Sequence, residues 1–460
     1  MNLGGAQGCA PARFDARKAS RGLVFFCAKR KVVYKYKNLY KSNSAERFRQ
    51  LTNTMKEFQE RLKKLLFQSR HQFGGSYQSI VKIVDEILNF AVKMRASDLH
   101  IEPIENFLRL RYRIDGQLRE LHEPIPIKLA ETLTARIKIL AGIDTTNPFS
   151  PLDGAINFGN VEMRVASMPS EGAESLTIRF LDSANQPHKL SELGFTPLNE
   201  ELFRKSIAET SGMIILTGPM NSGKSTTLYA ALRELNLPSR AIMTLEDPIE
   251  QHVEGVSQVQ VNEKVGLNFA SGLRAMLRMD ANVLMVGESR DAETSKIAVR
   301  AALTGHLILT TLHASDSCSA VFRMIEMGVE PYLLSATLKC VVAQRLVRKL
   351  CPHCKRLEFA GDFEKKFIAT EKIWKAVGCD KCGDTGYFGR LAIHEVLRVK
   401  KNIRELILNS RDIDEIRNAA LEGGLETLAI DGIKKIRAGL TTIEELQRVL
   451  GEEEFLESFN

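Results

Sequence analysis

No run in this 460-residue sequence approaches the ~20 consecutive apolar residues of a membrane-spanning helix. The nearest thing to a targeting segment, Gly22 to Ala28, is short and flanked by basic residues, too weak for a signal peptide. Internal repeats are absent. Positive charge is scarce where a nucleic-acid channel would need it: outside the first 70 residues, 47 Lys/Arg face 52 Asp/Glu, a net of −5. That balance argues against a positively lined strand-binding groove in the body of the chain. The first 70 residues are the opposite, with 17 Lys/Arg against 4 Asp/Glu. Such a basic segment suits a solvated tail, an anionic lipid surface or nucleic acid. Of eight cysteines, four are scattered, so a disulfide framework is not indicated.

What is present centres on Gly212 to Thr227. A short apolar run, fit for a buried strand, leads into Gly218-Pro219-Met220-Asn221-Ser222-Gly223-Lys224-Ser225, the pattern G-x-x-x-x-G-K-S. Leu228, Ala231, Leu232 and Leu235 then recur at helical spacing. Strand, loop and helix are the context this motif requires. Loop N–H groups, from Gly218 through Thr226, and the helix N-terminus would cradle phosphates. Lys224 would reach the β/γ-phosphates and Ser225 would hold Mg²⁺.

Length and composition changes divide the chain. Residues 1–75 are a basic tail ending in an amphipathic helix from Phe48 to Leu66. Residues 76–182 form a small α/β domain, in which Phe107 to Ile114 alternates and ends in the hairpin signal Asp115-Gly116. Residues 183–197, with Pro187 and Pro197, suit a linker. Residues 198–348 alternate strands and helices, predicting a largely parallel sheet covered by helices. Residues 349–390 hold paired cysteines, and 391–460 are mostly helical.

Further candidates cluster near predicted strand ends, where ligands collect in such sheets. Val283 to Val286 ends in Gly287-Glu288. Thr244 to Glu250 places Glu246, Asp247 and Glu250 past another strand, for metal contact or water activation. His313 follows the run Leu307 to Leu312 and would sense the γ-phosphate; His306, seven residues earlier, is the weaker candidate. Arg274 and Arg278 share a helix face, either as a phosphate-directed pair or as a solvated stripe. Cys351-x-x-Cys354 and Cys379-x-x-Cys382 have the ligand type and turn spacing of a closed tetrahedral Zn²⁺ site. Arg113, with Arg111, either closes on a γ-phosphate or pairs with Glu102 or Glu120 on a solvated strand face.

From about Ser97 to Val449 the chain resembles the secretion ATPases of type II secretion systems and type IV pilus assembly. The matching stretches are Ser97 to Pro103, Arg111 to Gly116, the phosphate loop, Thr244 to Glu250, Leu273 to Arg278, Gly287 to Asp291, Ala302 to His313, the paired cysteines into Gly386 to Arg390, and Thr441 to Glu445. The resemblance implies a RecA-like P-loop core with a smaller N-terminal α/β (PAS-like) domain, a zinc-binding insertion and a helical C-terminus. It implies ATP, Mg²⁺ and Zn²⁺, a homo-hexamer, and a cytoplasmic engine at the inner membrane working through a platform protein and its cytoplasmic docking partner. Carried over, Glu288 is the Walker B acid, Glu246 and Glu250 belong to the catalytic box, and Arg274 and Arg278 face the γ-phosphate. The chain departs from the family pattern at Thr145 to Gly154, at Ala173-Glu174 and at Ser289. Two rivals stay open: a nucleic-acid or DNA-uptake motor, and a non-catalytic nucleotide-gated adaptor.

Overall fold

The structure is a computed structural model that describes residues 58–68, 77–121, 124–147, 150–159, 161–171, 173–181, 187–409 and 412–457. Most of the basic N-terminal segment, and the start of its expected helix, lie outside the described residues. The described part of that helix, α1 over 58–68, buries Phe58, Leu62 and Leu66 at helical spacing. Phe58 stacks on Phe90 of α2 (Tyr77–Lys93) with ring centroids 4.0 Å apart.

The N-terminal domain is an antiparallel sheet in the order β3-β2-β1-β7-β6-β5. Its strands are β1 (Ala96–Ile104), β2 (Phe107–Ile114), β3 (Gln117–Glu120), β5 (Leu152–Phe158), β6 (Val161–Ser170) and β7 (Ala173–Leu181), with the short β4 (Ile125–Pro126) paired to β2. The alternation in β2 sorts its two faces. Leu108, Leu110, Tyr112 and Ile114 enter a core with α2 and α3 (Ala130–Leu140), while Arg109, Arg111 and Arg113 point away. Asp115 and Gly116 take the left-handed conformation that a two-residue hairpin turn needs. Strand β5 appears where no strand is expected from the sequence. It is half exposed at the sheet edge, so its apolar signal is weak.

The predicted linker is not a free tether throughout. Leu190 and Leu193 are buried in the core, and Thr196 caps α4 (Pro197–Ile207) by accepting from Asn199 N–H at 3.3 Å.

The core sheet runs β10-β9-β11-β12-β8-β13-β16. Its strands are β8 (Gly212–Thr217), β9 (Ile242–Glu246), β10 (Ser257–Gln260), β11 (Val283–Val286), β12 (Leu307–Leu312), β13 (Leu338–Leu350) and β16 (Tyr387–Arg398). All neighbours are parallel except β13 and β16. Strands β8, β11 and β12 are buried at every position, as a sheet with helices on both faces requires. The flanking helices include α5 (Lys224–Leu235), α6 (Phe269–Met276), α7 (Ala292–Leu303), α8 (Ser317–Glu326) and α9 (Pro331–Thr337). The stretch expected to be mostly helical from 391 begins instead with the last eight residues of β16. Helices α11 (Lys401–Asn409), α12 (Ile413–Glu422), α13 (Leu428–Arg437), α14 (Ile443–Leu450) and α15 (Glu452–Glu457) follow. Between β13 and β16 the cysteine segment adds β14 (Arg356–Phe359), α10 (Asp362–Ile368) and β15 (Lys372–Lys375).

Candidate active site and metal centre

Strand β8 delivers the chain to the loop Gly218–Gly223 at the carboxyl edge of the sheet, and α5 starts at Lys224. Two glycines are dictated by close approach. A Cβ on Gly218 would lie 2.4 Å from the Gln344 carbonyl oxygen, and one on Gly223 would lie 2.8 Å from Gln344 Nε2. Both also have positive φ, at 147° and 87°. Lys224 is almost buried, and its Nζ donates to the carbonyls of Gly218 at 2.8 Å and Pro219 at 2.9 Å. Burial and the nearby Arg345 guanidinium lower its pKa to about 8, against the opposing pull of Glu288 and Glu250. An ammonium held this way, with few compensating charges, fits an anionic phosphate chain. Ser225 and Thr226 occupy the next positions of α5, half-buried. Pro219, Asn221 and Ser222 complete the loop, and Met220 stands 81% exposed at its tip, so it contributes through its backbone alone.

Three strand ends converge on this loop. Glu288 lies just past β11 and pairs with Arg290 at 2.5 Å. His313 lies just past β12. Burial, then the Lys224 ammonium, lower its pKa, so its imidazole is neutral at pH 7. Past β9, Glu246 and Glu250 part company. Glu246 is buried and saturated: Tyr229 Oη donates to it, Thr244 Oγ1 donates at 2.5 Å and Gln258 Nε2 at 3.0 Å. Glu250 is exposed, with its N–H donating to the same Tyr229 hydroxyl at 3.1 Å. Glu246 thus braces the loop that presents Glu250. His306 sits at the opposite end of β12, with Nδ1 3.1 Å from the Ala301 carbonyl, away from the loop.

The arginines are arranged differently from expectation. Helix α6 ends at Met276, and Arg278 follows in a turn, its N–H bonded to the Ala275 carbonyl at 3.0 Å. The two arginines therefore do not form one helical pair. Arg274 is exposed and pairs with Glu293, and Arg278 is exposed. Within the chain Arg113 lies 3.3 Å from Asp98 and donates to the Gly116 carbonyl, while Arg111 and Arg109 both bond Glu102. Burial alone would raise the Glu102 carboxyl, but those two hydrogen bonds outweigh it and hold it below the ordinary range. Among the described residues these three arginines bond Glu102, Asp98 and the Gly116 carbonyl, none of which lies in the chain's own phosphate loop.

Gln344 of β13 was not singled out by the motifs. It is buried, donates to the Ser222 carbonyl and accepts from Thr227 Oγ1, both at 2.8 Å, so it ties the loop to the first turn of α5. The available signal was a glutamine directly after the apolar run from Cys340 to Ala343, since a buried polar side chain must have partners.

Cys351, Cys354, Cys379 and Cys382 come together with all four sulfurs within 4.8 Å of one another. The Cys351–Cys379 Sγ distance is 3.7 Å, and Cys382 lies 3.8 Å from both Cys354 and Cys379. Tetrahedral Zn–S bonds of about 2.3 Å place sulfurs about 3.8 Å apart, so the donor set and its spacing fit zinc. N–H groups of Cys379 and Gly386 donate to Cys382 Sγ at 3.2 and 3.3 Å, the support a thiolate ligand wants. The knuckle touches the N-terminal domain. Arg119 donates to the Gly383 carbonyl at 3.3 Å, Gly389 N–H donates to Asp115 at 3.2 Å, and Arg95 lies 3.7 Å over the Phe388 ring. A separate contact, Arg164 to the Ile249 carbonyl at 3.0 Å, joins that domain to the loop carrying Glu250.

Residues 75–448 match the family described as type II/IV secretion system protein. The chain belongs to this family. It is 44% identical over 382 residues to the type II secretion system ATPase E of Vibrio cholerae, covering 81% of this chain and 76% of that protein. It is 42% identical over 381 residues to the type IV pilus assembly ATPase PilB of Myxococcus xanthus, covering 80% and 67%. Among solved structures, the pilus retraction motor PilT with bound ADP superimposes with a TM-score of 0.55 at 26% identity, over 79% of this chain and 95% of that one. Family membership makes the chain an ATPase, with ATP and Mg²⁺ as the nucleotide and ion the family implies. Among the described residues no helix is long and apolar enough to cross a membrane.

Proposed function

We propose that this secretion ATPase works as a homo-hexameric motor at the cytoplasmic face of the inner membrane. There it drives assembly of a secretion pseudopilus or a type IV pilus through a platform protein and a docking partner. The observation that carries this reading is the convergence of Lys224, Glu288 and His313 at one edge of a parallel sheet, with Glu250 on the adjoining loop. Lys224 exchanges its two loop carbonyls for the β/γ-phosphates, and the loop N–H groups hold the remaining oxygens. Ser225, with Glu288, holds Mg²⁺, which neutralises phosphate charge when bound. Glu250 and Glu288 orient the attacking water, and His313 senses the γ-phosphate from the end of β12. Arg113, with Arg111, reaches the γ-phosphate of a neighbouring subunit, where Arg274 and Arg278 also face it. Their exposed or strand-face positions leave them free to exchange partners. Zn²⁺ held by the four cysteines fixes the knuckle on which the N-terminal domain rests. The domain boundaries at 76, 183, 198, 349 and 391 then mark a moving N-terminal sheet, a linker partly anchored by Leu190 and Leu193, and a catalytic body with its zinc element and helical C-terminus, the angle between sheet and body changing with nucleotide state.

The test is steady-state ATP turnover of the purified full chain, with Mg²⁺ or EDTA, with and without DNA. Mg²⁺-dependent turnover indifferent to DNA and abolished in Lys224→Ala is the expected result. Stimulation by DNA favours the nucleic-acid motor, and no turnover favours the adaptor.

A further inference from the structure

At the other end of β8 from the phosphate loop lies a second concave site with no role in the reaction above. It is a cavity of about 380 Å³ between α4, the start of β13 and the start of α11, a size suited to small ligands. Its wall carries Lys205, Lys339, Arg398, Lys400, Lys401 and Arg404 against one carboxylate, Glu209. Glu209 is taken by Arg398 at 3.0 Å, and Lys205 by Glu201 outside the cavity. Lys339, Lys400 and Arg404 have no ion-pair partner among the described residues.

Two features show that the charge is held there by construction. Gly212, with φ of 125°, opens β8 beneath Lys339, and a Cβ at Gly212 would lie 2.5 Å from both Lys339 Cγ and Cε. The lysine stem lies in space that a side chain at position 212 would fill. The backbone around it is pinned, since Val399 N–H donates to the Lys339 carbonyl at 2.9 Å and Arg404 N–H to the Lys400 carbonyl at 3.0 Å. Helix α11 opens with Lys401 and Arg404 and has no acid in its first turn. Helices favour the reverse, because their N-terminus is already the positive end of the dipole. The body of the chain is net negative, yet six cations meet here around a positive helix end. Arg398, Lys205 and Lys401 are paired with Glu209, Glu201 and Glu405, but Lys339, Lys400 and Arg404 add unpaired charge beside that helix end, and local rules broken without visible compensation mark functional sites.

We propose that this cavity binds a phosphate-bearing anion. Lys339, Lys400 and Arg404 supply the countercharge, and Arg404 offers a planar fork to two oxygens at once. The ligand is either a free phosphoanion or the headgroup of an anionic phospholipid. The site is independent of the nucleotide reading above.

The experiment titrates inorganic pyrophosphate into full-length Lys224→Ala protein by calorimetry, then into the same protein carrying Lys339→Gln and Arg404→Gln. The residual phosphate loop is common to both, so any difference belongs to the cavity. A parallel arm measures co-sedimentation with phosphatidylglycerol vesicles against phosphatidylcholine vesicles. ATP turnover of Lys339→Gln/Arg404→Gln in the otherwise native chain reports that the fold is intact. Lys400→Glu, a change at an exposed position, serves if that pair fails to fold. The expected result is binding weakened at least about tenfold by the substitutions and falling steeply with salt. Pyrophosphate responding identifies a free phosphoanion, and only the anionic vesicles responding identifies the lipid headgroup. If neither probe binds, or binding is unchanged by the substitutions, the proposal is overturned.

Discussion

The two large sheets put charge in opposite places. In the parallel core sheet, β8, β11 and β12 are buried throughout, and the charged chemistry is displaced to their carboxyl ends at Lys224, Glu288 and His313. In the antiparallel N-terminal sheet one face of β2 carries Arg109, Arg111 and Arg113 along the strand itself, neutralised by Glu102 and Asp98 of β1. A sheet covered on both faces holds polar groups inside it only where they are hydrogen-bonded, as Gln344 is, whereas a sheet with one open face can carry a ladder of charges. The core sheet therefore gathers the groups proposed to bind phosphate from its own strand ends. The N-terminal sheet holds its cations against carboxylates of the neighbouring strand.

The largest expected effect separates the two sheets. Arg113→Ala should lower kcat on the order of 10³-fold while leaving ATP affinity within a few-fold, since arginine fingers act on the transferring phosphoryl group. A comparable loss in KM instead would place Arg113 in ground-state binding and erase the distinction.

Next in size is Gln344→Leu, which strips Thr227 Oγ1 and the Ser222 carbonyl of their shared partner. Unsatisfied buried groups cost about 1–3 kcal/mol each. KM for ATP should rise about tenfold with a smaller change in kcat, read by steady-state kinetics. An unchanged KM would mean the loop holds its shape without β13.

Removing the metal probes the contact between the sheets. Fresh, reduced protein should contain one Zn²⁺ per chain by metal analysis, and Cys351→Ser should lose it. Limited proteolysis should then nick the segment 349–390 while the phosphate loop remains chemically complete. Because Arg119 and Asp115 rest on this knuckle, turnover should fall several-fold. Zinc-free protein with normal protease resistance would argue that the four thiols pack without a metal.

The smallest effect is a pH dependence. The free chain's Lys224 pKa is lowered to about 8, and phosphate would raise it again. Nucleotide binding should therefore take up a proton above pH 8, and ATP affinity should decline as pH rises through that value. The same shift makes folding slightly more favourable as pH climbs from about 8 towards 10.5, because the unfolded chain holds that proton longer. A KM flat from pH 7 to 9.5 would remove Lys224 as the titrating group.

The core was legible in the sequence because its signals are local. The glycines at 218 and 223, the apolar runs and the strand-end acids are adjacent in the chain and forced by backbone geometry. The cysteine cluster was legible for the same reason, since two short turns supply all four sulfurs. The misses are non-local. β16 looks like the start of a helical region until β13 pairs with it across the cysteine segment. Gln344 gains meaning only when β13 lies beside the loop, with Ser222 lying 122 residues earlier in the chain. Glu246 is a strand-end acid like Glu288, and only Tyr229, Thr244 and Gln258 reveal it as a brace. Arg278 lies beyond the expected helix because α6 stops at Met276.

The central claim is that the core sheet of one subunit and the β2 arginine of another together make one active site. Mixing Arg113→Ala chains with Lys224→Ala chains tests it directly. Each variant alone lacks one half of every site. In verified mixed rings, some interfaces pair an intact Lys224 with an intact Arg113. The account predicts that ATP turnover reappears on mixing and scales with the fraction of mixed rings. Verified co-assembly with no recovered turnover would contradict it.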